Sequence, residues 1–233
     1  MDKKWFSAAV MVLMIFTFSL EEMPMVSNLF GQTEARAMDL PAVERQAPGS
    51  FADLLYQRSS VRNFSQGTLS LKQVATILFA AQGITRSGRF RTVPSAGALY
   101  PLEVYLVAGQ VQGLEPGVYK YMPKGHRLSQ VMAGDKRGEV ARAAYGQTWV
   151  ARGQAVLVIC AGFERVTGKY GERGRRYVHI EAGCAAQNVS LAGFSLGLGS
   201  TVVGAFTDKD LATVISAKPS EKPLIIMPVG LLP

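Results

Sequence analysis

The sequence predicts an α+β domain, a mixed central sheet flanked by helices, from about residue 50 to residue 233. Three observations carry this. Apolar runs of strand length recur at 102–107, 155–160 and 223–229. Among them stand segments with apolar residues at helical spacing, the longest over 177–196, and helices packed on a sheet make a layered domain. The 233 residues are 48% hydrophobic, which suffices for one substantial core and is too apolar for a disordered chain.

The elements follow in order. Ser50 N-caps a short helix carrying Phe51, Leu54 and Leu55, which leads into Arg58. Ser70 and Gln73 form a capping box, and behind it Leu71, Val74, Ile77, Leu78 and Ala81 mark a helix to about Gln82. Gly83 and Gly88 release the chain into a basic loop ending at Pro94. Strands are expected at 102–107 and 117–121, with a third short element at 128–131 after the turn around Gly125. A helix over 136–145 precedes the buried strand at 155–160.

Residues 168–174 read as a polar, glycine-punctuated loop. The helix over 177–196 carries Ile180, Cys184, Gln187, Leu191 and Phe194 along one side, and Gly183, Ala185 and Ala186 permit close approach of another backbone. A strand at 200–203, a helix from Asp208 to about Ser216 and the strand at 223–229 complete the domain.

Ahead of it, Lys3 and Lys4 precede an apolar stretch over 5–20, the pattern of a secretory signal or a membrane anchor. That stretch falls just under the usual spanning length of roughly 17–25 residues. Residues 1–20 are therefore expected to export the chain or attach it to the cytoplasmic membrane, facing outward, with 21–49 as a linker rich in Pro, Glu, Gln and Ala.

The 25 basic and 17 acidic residues give a net charge of +8, which favours phosphates, acidic small molecules or an anionic membrane surface as neighbours. The basic residues are scattered and accompany no zinc-finger or recognition-helix pattern, so nucleic acid is set aside as a partner. His126 and His179 are the only histidines, and Cys160 and Cys184 the only cysteines. No metal site is expected from them, and no G-x-S-x-G elbow supports a hydrolase.

Three segments can carry chemistry. Arg58-Ser59-Ser60-Val61-Arg62 groups two guanidinium ions with two hydroxyls, the donors a terminal phosphate requires. Pro94-Ser95-Ala96-Gly97-Ala98-Leu99-Tyr100-Pro101 presents backbone without bulk, suited to lie beside a ring system or phosphate. Gly197 to Phe206 joins a helix end, a short strand and a glycine turn at which Gly204 can offer an amide. No P-loop and no dinucleotide fingerprint occurs. On these residues alone, a surface arginine pair and a tight structural loop remain open as alternatives.

Taken together the segments resemble the nitroreductase-like flavoenzymes, in particular the SagB-type branch of thiazoline and oxazoline dehydrogenases. The resemblance runs from about Leu54 to Gly230. It rests on Arg58-Ser59-Ser60-Val61-Arg62, the P-S-A-G-A-L-Y-P-x-E motif from Pro94 to Glu103, and the run from Tyr170 to Gly183 followed by Gln187-Asn188. Gly197-Leu198-Gly199 with Val203-Gly204-Ala205-Phe206 completes it.

The resemblance implies the nitroreductase-like fold, a homodimer, and FMN as cofactor, with NAD(P)H open as electron donor. It places Arg58, Ser59, Ser60 and Arg62 around the flavin phosphate and ribityl or the pyrimidine edge. Ser95, Ala96 and Gly97 lie beside the ring, and the backbone of Val203 and Gly204 near N5. Lys169 and Tyr170 match the pair implicated in azoline oxidation.

The activity implied is an FMN-dependent oxidoreductase exchanging hydride or electrons with a small organic substrate, or alternatively a peptide thiazoline/oxazoline dehydrogenase. Cys184 stands where close relatives often have histidine, which keeps a flavin-binding maturation protein without turnover as a further alternative.

Overall fold

The computed structural model describes residues 37–42 and 50–233, and the apolar segment over 5–20 lies outside them. The chain order begins β1 (Ala37–Asp39), α1 (Phe51–Gln57), α2 (Leu71–Gln82), β2 (Ile84–Thr85), α3 (Arg86–Arg89) and β3 (Phe90–Arg91). It continues β4 (Leu102–Ala108), β5 (Gly117–Met122), β6 (Arg127–Ala133), α4 (Arg137–Ala143), β7 (Ala155–Ala161), α5 (Glu164–Tyr170) and α6 (Arg173–Ser195). It closes with β8 (Leu198–Ser200), α7 (Asp208–Val214) and β9 (Lys222–Leu231).

Seven strands form one sheet in the order β1-β6-β5-β4-β7-β9-β8. Neighbouring strands run antiparallel. The parallel component of this mixed sheet is the bridge between Ser60 and Ser200 at the β8 edge.

Side chains of a strand alternate between faces, and here each face has its own core. Val104 and Leu106 of β4 join Leu157 and Ile159 of β7 under α2 and α6. Tyr105 and Val107 join Val156, Val158 and Cys160 on the other face, under α4 and α7. All seven residues of β7 are buried, because a strand covered on both faces carries a continuous apolar run.

The capping box of α2 is present as expected, with Ser70 Oγ accepting from Gln73 N at 3.2 Å and Gln73 Oε1 accepting from Ser70 N at 2.9 Å. Four expectations need adjustment. Ala37–Asp39, within the stretch read as a linker, pairs with β6 from Ala37 opposite Ser129 to Asp39 opposite Arg127. The basic loop before Pro94 folds into the β2–β3 hairpin around a single helical turn.

The glycine-punctuated stretch over 168–174 is mostly helical, broken only at Gly171 and Glu172. Gly174 explains the glycine content. A Cβ there would meet Val166 and Thr167 backbone atoms at 3.0 Å, so this glycine lets α6 press onto α5. Lastly, the strand expected at 200–203 ends at Ser200, and the chain pairs again only at Val203 with Ile226.

The long helix turns a different side inward from its bulkiest one. Val178, Ala182, Ala185 and Val189 face the core, whereas Ile180 is 58% exposed. Ala185 and Ala186 are therefore engaged within the chain's own core, and of the small residues named above Gly183 remains on the outside.

Candidate functional site

The three motif segments gather into two clusters along α6. The first lies at the β8 edge. Ser50 caps α1 and its partner Asp53 closes the box, so the helix ends at Arg58, whose N–H donates to Leu54 O at 3.0 Å. The chain then extends along β8, with Val61 N donating to Ser200 O at 3.0 Å. Gly199 makes this approach possible, since a Cβ there would lie 2.6 Å from Val61.

This anchoring uses backbone and leaves side chains available. Among the described residues, the Arg58 guanidinium and the Ser59 and Ser60 hydroxyls have no polar partner. Arg62 lies 5.4 Å from the ring of Trp149, a cation–π contact that orients its guanidinium.

The Val203–Gly204 segment follows two residues beyond β8. Val203 exchanges two 2.9 Å hydrogen bonds with Ile226 and its side chain is buried, so its backbone N–H is already engaged and only Gly204 offers an unpaired amide. A Cβ at Gly204 would meet nothing within 4 Å, which leaves space for a ligand to approach. Gln147 Nε2 donates to Ala205 O at 3.2 Å and holds the turn.

The second cluster is the Ser95–Pro101 loop. Gly97, Ala98 and Tyr100 all have φ near +50 to +60° (62, 54 and 47°), a conformation disfavoured for Ala and Tyr. Strain of this kind persists where neighbours enforce it, and Tyr100 is held at several points. Its N–H donates to Ser95 Oγ at 2.9 Å and its hydroxyl donates to Arg89 O at 3.0 Å. Its carbonyl accepts from Arg165 Nη1 at 2.9 Å, and Arg91 lies 5.0 Å from its ring.

Lys169 and Tyr170 stand on the last turn of α5 and meet this loop. A Cβ on Gly97 would lie 2.8 Å from the Tyr170 hydroxyl and 3.1 Å from Lys169 Nζ. Tyr170 is braced by an edge-to-face contact with Tyr177 at 5.3 Å. The structure thus joins Gly97 with Lys169 and Tyr170, and joins Arg58–Arg62 with the β8 edge.

Sequence reasoning missed Glu181. It lies on the buried face of α6, 3% exposed. Burial pushes its carboxyl up to about 7, against the Ser95 hydroxyl, the Gln82 amide and Arg91, which favour the charge. Its spacing from Val178, Ala182 and Ala185 was the available signal, because an acid in a core-facing stripe needs a reason to be there. His179, two residues earlier, is exposed, as i and i+2 on a helix require.

Among the described residues no group of His, Cys, Asp or Glu could hold a metal ion. The donor set suits a phosphorylated flavin. Unpaired Arg58, Ser59 and Ser60 match the phosphate, the open Gly204 amide a ring nitrogen, and the Ser95–Gly97 backbone a flat ring.

The profile of the Nitroreductase family matches residues 55–231, and the chain belongs to that family. It is 47% identical over 178 residues to a nitroreductase-type protein of Methanocaldococcus jannaschii, covering 76% of this chain and 89% of that one. It is 28% identical over 179 residues to the microcin B17-processing protein McbC of Escherichia coli, covering 74% of this chain and 66% of McbC.

Among solved structures, a nitroreductase-type protein of Ralstonia eutropha superposes with a TM-score of 0.74 at 30% identity, over 86% of this chain and 91% of that one. The NADPH:FMN oxidoreductase of Vibrio harveyi shares the fold, with a TM-score of 0.56 at 19% identity over 77% and 67% of the two chains. Among the described residues no helix is long and apolar enough to cross a membrane.

Proposed function

We propose that this chain is an FMN-dependent oxidoreductase acting on a small organic substrate. The observation that carries the reading is the set of unpaired donors at the β8 edge: Arg58, Ser59, Ser60 and the Gly204 amide. Hydride and electron chemistry is supplied by the flavin when bound, and the protein's part is to orient it and tune its electronics. Arg58 and the two serines hold the phosphate. Arg62, set on Trp149, offsets negative charge on the flavin, and the Gly204 N–H donates toward N5. The Ser95–Gly97 backbone forms a wall too narrow for a side chain, with Lys169 and Tyr170 beyond it.

Homodimerisation belongs to the same reading. Ile180 on the outer side of α6 and Phe51, Leu55 and Tyr56 on α1 are exposed apolar residues, on two helices that touch each other. The apolar segment over 5–20 would place the enzyme at or beyond the cytoplasmic membrane.

A second reading, oxidation of azoline rings in a peptide, is favoured by the contact of Lys169 and Tyr170 with Gly97 and by the similarity to McbC. One set of measurements tests both. The purified full chain should show the flavin band near ~450 nm after FMN addition. Arg58→Ala should weaken FMN binding about 10- to 100-fold, the equivalent of one charge-assisted hydrogen bond. No flavin uptake ends the proposal, and unchanged affinity in R58A removes the phosphate role from the first motif. Turnover on quinones or nitroaromatics supports the small-molecule reading. Turnover on a thiazoline peptide, lost in K169A and Y170F with FMN retained, establishes the second.

A further inference from the structure

We propose that Glu181 is the positioning residue of the candidate site, its carboxyl setting the geometry of the Ser95–Tyr100 loop through the Ser95 hydroxyl. The inference rests on the functional reading only in calling that loop part of the flavin site.

The geometry comes first. Glu181 is almost wholly buried beneath the loop, and Oε1 is fully enclosed without a hydrogen-bond partner among the described residues. Gln82 Nε2, from α2, is enclosed and unpartnered as well. A buried polar atom left this way costs stability, and nothing in core packing calls for an acid here. What the carboxyl does face is Ser95, the residue whose Oγ takes the Tyr100 N–H at 2.9 Å. Tyr100 in turn holds one of the strained backbone angles of the loop.

The direction of the Ser95 bond follows from the proton on Glu181. As a carboxylate, Glu181 can only accept. The Ser95 hydroxyl then points its hydrogen downward and turns its lone pairs toward Tyr100 N–H, and the loop is fixed with Gly97 against Lys169 and Tyr170. As an acid, Glu181 donates to Ser95 Oγ and competes for the same oxygen, so the Tyr100 bond weakens.

The groups facing the carboxyl are Ser95 from the loop, neutral Gln82 from α2, and the cation Arg91 from β3. On α6 itself, Tyr177 stands one turn earlier and is braced on Tyr170. Burial is the leading influence and brings the proton exchange to about 7, within reach of ordinary solution conditions.

The test is hydrogen exchange of the peptide spanning Ser95 to Pro101 in the FMN-free full chain, from pH 5.5 to 8.5, with each rate divided by the intrinsic rate at that pH. Protection at Tyr100 should fall about fivefold on acidification, the difference between a charge-assisted and an ordinary bond. The midpoint should lie near 7. Glu181→Gln should make protection independent of pH. Ser95→Ala should do the same by removing the link, and serves if E181Q fails to fold.

A wild-type profile without an inflection overturns the proposal, as does an inflection that persists in either variant. FMN titration over the same range separates the two claims. Uptake with an inflection in affinity that E181Q lacks supports both. Failure to bind FMN alongside the exchange inflection removes the flavin reading and leaves Glu181 as the loop's positioning residue.

Discussion

Glu181 and Glu221 are both 3% exposed, yet the protein treats them in opposite ways. Glu221 lies on the α7 side of the sheet, where Lys120 Nζ donates to Oε1 at 2.6 Å and the Tyr105 hydroxyl donates to Oε2 at 2.5 Å. Burial raises its pKa, but Lys120 and Tyr105 outweigh burial and hold it below the usual carboxylate range. The same contacts raise Lys120 against its own burial, and Tyr105 is raised by burial together with Glu221. Lys120 also pairs with Glu103 at 3.0 Å, and Glu103 with Arg165.

Glu181 has no such cation in contact and keeps an orphaned oxygen. The first carboxylate is neutralised and locked as part of the fold. The second is left able to exchange its proton, at the place where the backbone is strained and the motif residues converge. Burial alone therefore does not mark a site; incomplete compensation beside strain does.

The contrast can be broken most severely at Lys120. Lys120→Met should lower unfolding free energy by about 3–5 kcal/mol, because Glu221 stays buried without its cation, and urea denaturation will measure it. A loss below about 1 kcal/mol would place Glu221 on the same footing as Glu181. Tyr105→Phe removes one donor to a charged acceptor and should cost about 1.5–3 kcal/mol in the same assay.

The smallest effect has the opposite sign. The folded pKa of Glu181 stands above its unfolded value, so the native state binds more protons between about 4.5 and 7, and wild-type stability falls as pH rises through that window. E181Q lacks this decline. It should match wild type near pH 4.5 and exceed it by about 1 kcal/mol at pH 8, the scale of one poorly satisfied buried group. Thermal unfolding at the two pH values sharpens the comparison. Equal stability at pH 8 would mean that the carboxyl is satisfied after all.

Much of this was legible in the residues themselves. α2 spans the limits implied by Ser70, Gln73 and the apolar repeat, because capping and periodicity are local. The strands over 102–108 and 155–161 announce themselves by composition. Elsewhere the information was not local. Three residues of β1 form a strand because β6 supplies partners. Gly174 looks like a loop signal and is a helix contact.

The motif segments were visible as donor-rich stretches, but single-sequence spacing could not show that Val203 N–H would be engaged by Ile226. Nor could it show that Gly97 would meet the end of α5. Glu181 escaped for the same reason: its burial belongs to the packing of α6 on α2 and the loop, not to its neighbours in the chain.

The sheet ends in strands of three residues on both sides, β1 and β8. Exposed strand edges are templates for growth by another chain. Here each offers only a single turn's worth of unpaired backbone, and β8 is further occupied by the crossing segment at Ser60 and Val61. Resistance to fibril-like self-association is thereby built into the borders of the sheet, and one of those borders is the same segment that carries the phosphate-binding side chains. Displacing it would uncover a polymerising edge as well as dismantle the site, so solubility and ligand capture are exposed to the same mutations.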